Sequence, residues 1–150
     1  MKQLDQEQAK RIADRVIGFS KADECSVVIQ GNRTGNIRFA RNSVSTAGLT
    51  EDTQLSVRVA FGKRTGTAVI NEFDDKSLEK AVRRAEELAR LAPENPEFVP
   101  AVGKQEYRGT QTFVPATSAI DPDYRAEVAA AAIGQARAKK LVTAGFFTDS

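Results

Sequence analysis

TQLSVRVAFGKRTGTAVI, residues Thr53–Ile70, decides how the chain is read. Leu55, Val57, Val59 and Phe61 alternate with Ser56, Arg58 and Ala60. That two-residue period places one set on each face of a strand. The segment GKRTG then poses a choice between a phosphate loop and a bend. A phosphate loop needs glycine, four residues, then Gly-Lys-Ser/Thr, and opens a helix. Here Gly62 precedes Lys63 directly, and a second strand period, Thr67 to Ile70, follows. GKRTG is therefore the turn of a hairpin, and the chain is built around an antiparallel meander.

Upstream, Cys25, Val27 and Ile29 alternate with Ser26, Val28 and Gln30 as another strand. GNRTGN, residues 31–36, has turn chemistry, because glycine and asparagine tolerate positive φ. Ile37 and Phe39 resume the alternation, and a short strand over Val44–Ala47 is expected. Before the strands, residues 5–19 read as a helix with Asp5 as N-cap and a stripe of Ala9, Ile12, Ala13 and Val16.

Downstream, DDKSLEKAVRRAEELARLAP is the strongest helical pattern. Leu78, Ala81, Val82, Ala85, Leu88, Ala89 and Ala92 make one apolar stripe. Asp74 or Asp75 caps its start and Pro93 stops it. Residues 93–120 read as a long connection with a short strand near Thr110 to Val114. A third helix over 122–142 opens with Asp121 as cap and Pro122 at the first position, with Val128, Ala131, Ala132 and Gln135 near one face. AGFFT, residues 144–148, starts a last strand. The fold class is thus α+β: helix, antiparallel β-meander, helix, then a second α-β unit that looks truncated. The division expected is 1–115 and 116–150. The last strand needs a partner, from another copy or from the edge of the first sheet.

Composition narrows the function. The 150 residues carry 22 basic and 20 acidic side chains, a net +2, with no concentrated basic tract. Nucleic acid is therefore not an expected partner. No apolar run approaches the ~20 residues of a membrane span, and the polar start has no signal-peptide pattern, so no membrane partner and a cytoplasmic location are expected. One cysteine, Cys25, leaves no internal disulfide. There is no histidine, which removes serine–histidine and cysteine–histidine catalysis and histidine-based zinc sites. The acidic run Glu72–Asp75 reads as helix capping rather than as a metal cluster. Candidate substrate-binding residues are Arg38 and Arg58, on the polar sets of their strands, and Lys63 and Arg64 at the hairpin tip. No catalytic and no metal-binding residue is assigned. One further reading is a free-standing module that binds protein or nucleic acid through a basic sheet face.

RFARN, SVRVAFGKRTGTA and AEELARLAPENPE, within residues 33–98, together resemble the amino-terminal region of the TldD/PmbA family. The likeness runs over residues 10–107, and GFFTDS resembles the family's next strand. It implies a cytoplasmic, dimeric parent, longer than this chain, from a family once described as modulators of DNA gyrase. In TldD-type members a HExxxH-type helix in the carboxy-terminal half binds zinc and cleaves peptides. In PmbA (TldE)-type members that motif is missing, and the pattern here is closer to theirs. No position here matches the zinc ligands. The resemblance thus implies a chain without cofactor and inactive alone, shaping a peptide channel and a homo- or hetero-dimer surface for a peptide or protein substrate.

Overall fold

The fold is that of a computed structural model, which describes residues 4–110 and 113–150. In chain order the elements are α1 Gln6–Phe19, β1 Glu24–Ala40, β2 Ser43–Phe61, β3 Arg64–Ile70, α2 Asp75–Leu91, α3 Pro115–Ser118, α4 Pro122–Ala138 and β4 Gly145–Asp149. The class is α+β with antiparallel strands ordered β3-β2-β1-β4. The residues group into two compact units. One holds the chain up to Gly31 with Asp52–Tyr107; the other holds Asn32–Glu51 with Arg108–Ser150.

The first unit is a helix-covered sheet. β2 and β3 pair from Leu55 opposite Ile70 to Phe61 opposite Arg64. Leu55, Val57 and Val59 are buried against Ile12 and Val16 of α1 and Leu78, Ala81, Val82, Ala85 and Ala89 of α2. Cys25, Val27 and Ile29 of β1 border the same core. Both helices start where a carboxylate accepts a free amide: Asp5 from Gln8 at 2.7 Å and Asp74 from Ser77 at 3.0 Å. The hairpin turn is tighter than GKRTG suggests. Gly62 and Lys63 alone make it, with Gly62 at φ 56° as a glycine-first turn requires. Gly66 lies inside β3, where α2 passes directly over it.

Glu86 ties the core together in a way its charge conceals. It lies on α2 and is 2% exposed. One carboxylate oxygen accepts the Lys21 amide at 2.6 Å, and the other accepts from Arg83 at 3.0 Å. Burial alone pushes its pKa up; the Lys21 amide and the charges of Arg83 and Arg90 outweigh that and hold it below the usual glutamate value of 4.5. A depressed carboxylate pKa stabilises the fold above the unfolded value, and that contribution fades as pH falls through the folded one. Urea midpoints are thus expected to drop between pH 7 and pH 3, and less so in Glu86→Gln. An equal drop in both proteins would remove Glu86 from the explanation.

In the second unit β1 continues unbroken through GNRTGN, so the turn expected there is absent. The bend falls instead at Arg41 and Asn42, both at positive φ (52° and 60°). Asn42 holds it: its amide side chain donates to the Leu141 carbonyl and accepts from the Thr143 N–H, each at 2.8 Å. The short strand over Val44–Ala47 is the start of the 19-residue β2. Gly35 is needed for close approach, since a Cβ there would meet Arg125 and Asp149. β4 finds its partner at the edge of β1, antiparallel, with Gly35 opposite Asp149 and Phe39 opposite Gly145.

α4 is capped by Asp121, which accepts from the Tyr124 amide at 2.8 Å. It ends at Ala138 rather than 142, followed by Lys140 at φ 57°. Its buried residues are Arg125, Ala129 and Ile133, so the face expected from Ala131, Ala132 and Gln135 is turned outward. Alanines surround this helix and leave its buried side to be set by the Arg125–Asp149 ion pair at 2.8 Å. The short α3 falls in the expected connection. The strand expected near Thr110 to Val114 includes residues 111–112, which lie outside the described residues.

Candidate functional site

The hairpin tip is used by its own chain. The Gly62 N–H donates to Asp23 at 2.8 Å, and the Lys63 carbonyl accepts from the Asn95 N–H at 3.0 Å. Arg64 lies 3.7 Å from Glu94. The first contact takes up a backbone N–H that a phosphate cradle would have to present. Lys63 and Arg64 stay exposed at the surface.

Arg58 lies in the first unit and lines a groove of about 170 Å³ with Glu24, Ser26 and Phe98. The Ser26 hydroxyl donates to the Arg58 carbonyl at 3.5 Å, confirming β1 and β2 as neighbours there. Glu24 accepts the Ala101 amide at 3.2 Å, which fastens the segment forming the groove's wall. Arg38 belongs to the second unit. It stands opposite Phe146 on β4, and its carbonyl accepts from the Ser45 hydroxyl at 3.3 Å. Arg38, Phe146, Ser45 and Thr46 line an open groove of about 390 Å³. The two arginines therefore line two different grooves. Each groove offers a cation beside apolar or hydroxyl groups, which suits a polar, extended ligand such as peptide backbone with an anionic group.

Phe146 escaped the sequence reading as a surface residue. It is 73% exposed, while Phe147 beside it packs edge-on against Tyr124 with ring centroids 6.2 Å apart. Alternation within GFFTD could have assigned one phenylalanine to each face.

Burial pushes the Cys25 thiol up, only partly offset by the Ser20 hydroxyl, so it stays protonated at neutral pH. The acidic residues 72–75 have structural partners: Glu72 accepts from the Ser77 hydroxyl, Asp74 caps α2, and Asp75 pairs with Arg15 at 2.6 Å. Among the described residues no three Cys, Asp or Glu side chains converge as a metal site, and the sequence has no histidine. The donor set does not fit the zinc of a hydrolytic centre.

Comparison with known proteins agrees with this architecture. Residues 25–89 match a family model described as PmbA/TldA metallopeptidase domain 1. TldE from Thermococcus kodakarensis superposes with TM-score 0.77 at 19% identity, over 93% of this chain and 32% of its own. A proposed modulator of a DNA gyrase from Thermotoga maritima gives 0.73 at 19%, over 93% and 32%. Another, from Bacteroides thetaiotaomicron, gives 0.78 at 15%, over 97% and 35%. The chain spans about a third of the length of these structures. No curated protein sequence matches it. Residues 25–89, the meander and second helix around TQLSVRVAFGKRTGTAVI, thus match the first domain of the PmbA/TldA metallopeptidase family, and the fold resembles that of TldE.

Proposed function

We propose that this chain is the non-catalytic amino-terminal part of a TldD/PmbA-like protein, where it shapes a peptide channel and a dimer surface. The observation that carries the proposal is a family domain in a chain without a single imidazole. The catalytic zinc centres of hydrolases and dehydrogenases are built with at least one histidine ligand, and this sequence has none. The groove of Arg38 and Phe146 and that of Arg58 and Glu24 would then guide an extended substrate rather than cut it. The partner would be the peptide or protein substrate of the parent, and a second family member. A cytoplasmic location is proposed as well; no helix among the described residues is long and apolar enough to cross a membrane.

The test is direct. The purified chain, incubated with a fluorogenic peptide library with and without zinc, is expected to release no product above a protein-free blank. Zinc-dependent, EDTA-sensitive cleavage by a clean preparation would end the proposal.

A further inference from the structure

In the second unit the β1–β2 turn and the α4–β4 connection meet at one end of the sheet. Asn42 bonds the Leu141 carbonyl and the Thr143 N–H, each at 2.8 Å, and Arg137 donates to the Asn42 carbonyl at 2.7 Å. This junction gathers charge that is dispersed along the chain. Residues 34–50 and 128–148 carry Arg38, Arg41, Arg137, Lys139 and Lys140 and not one acidic side chain. All of these cations are exposed, and the ion pairs of this unit among the described residues, Arg33–Glu51 and Arg125–Asp149, use none of them. A helix C-terminus favours cations, which accounts for Arg137, Lys139 and Lys140. It does not account for Arg38 and Arg41. Nor is the backbone indifferent. Arg41 at φ 52° and Lys140 at φ 57° hold left-handed positions where glycine or asparagine costs least, so both charges are kept at a conformational cost.

We propose that this end of the second unit binds an extended acidic peptide with apolar residues interleaved among its carboxylates. The inference rests on the peptide-guiding role proposed above and names the substrate class. The groove of about 390 Å³ lined by Arg38, Ser45, Thr46 and Phe146 also takes in Ala40 and Ala144, which adjoin the turn and the connection. It therefore borders the cationic cluster. Ser45 and Thr46 bring hydroxyls that can meet peptide backbone groups. Phe146, Val44, Leu141 and Val142 are exposed apolar surface for side chains. The surrounding cations, with no acid among them, attract carboxylates and repel a basic chain. A nucleic-acid strand would suit the charge but not the apolar groups. Grooves for single strands stack successive bases on several aromatic rings. This groove offers one exposed ring, Phe146, among aliphatic neighbours.

Fluorescence anisotropy of the full chain tests this with labelled probes: a peptide of glutamate, glycine and leucine, its glutamine-for-glutamate counterpart, and oligo-dT. The acidic peptide is expected to bind tightest, and less tightly as salt rises. Arg41→Asn with Lys140→Asn removes charge while placing asparagine where the backbone favours it, so the fold is kept. Binding is expected to fall about fivefold in that variant and about twofold in Arg38→Gln, an exposed strand position. Lys76→Gln with Lys80→Gln, an equal charge loss on α2 of the first unit, is expected to bind as the parent does. Unchanged binding in the Arg41/Lys140 and Arg38 variants, or an equal loss in the Lys76/Lys80 variant, overturns the site. A glutamine peptide bound as tightly as the acidic one overturns the substrate class and leaves the peptide-guiding role standing. Tighter binding of oligo-dT overturns the proposal in favour of nucleic acid. A chain that binds neither peptide overturns both the site and the peptide-guiding role.

Discussion

Gly66→Ala is expected to destabilise the first unit by about 3 kcal/mol, at the upper end of what one overpacked methyl costs in a tight core. Gly66 sits in β3 opposite Val59, directly beneath α2. A Cβ there would meet the Ala85 carbonyl oxygen and the Ala89 amide nitrogen. Both are backbone atoms of a helix, so no side chain can rotate out of the way. The helix must lift, and Val82, Ala85 and Ala89, now buried against the sheet, lose contact with it. Gly62→Ala offers a contrast. Nothing lies near that position, but its φ of 56° strains any other residue, so a loss of about 1–2 kcal/mol is expected. Urea unfolding of the two variants ranks them. A Gly66→Ala protein as stable as the parent would show that α2 does not pack this closely.

The second large effect is expected in the other unit. Arg125→Ala should cost about 3–5 kcal/mol, because it strands a buried carboxylate. Arg125 is 3% exposed and Asp149 8%, and they meet at 2.8 Å beside Gly35. The pair joins α4 to β4, the last strand of the sheet. Replacing both partners, as Arg125→Met with Asp149→Leu, is expected to recover most of the loss, since no charge is then left alone. Hydrogen exchange of the β4 amides reads the effect locally. Fast exchange in Arg125→Ala and near-parent protection in the double variant are expected. If the double variant exchanges as fast as the single one, the ion pair is not what fastens β4.

These two positions also show what a sequence can disclose. Helix starts were legible because capping is local: Asp5, Asp74 and Asp121 each bond an amide three residues on. The strand face of Leu55, Val57 and Val59 was legible because period two needs no partner to be seen. GNRTGN misled, because glycine permits a turn and also permits close packing, and only the residue lying over Gly35 separates the two. Glu86 and Arg125 carry no local signal of their burial, which depends on partners 65 and 24 residues away. Arg38 and Arg58 were correctly placed in strands with polar alternation. Their separation into two grooves follows from the length of the β1–β2 hairpin, which the assumed turn at 31–36 had cut short.

Zinc titration of the purified chain by calorimetry, with metal content measured after dialysis, reaches the central claim most directly. A domain that guides peptides without cutting them should retain no stoichiometric zinc and give no saturable heat at micromolar metal. One equivalent of tightly held zinc per chain would contradict it.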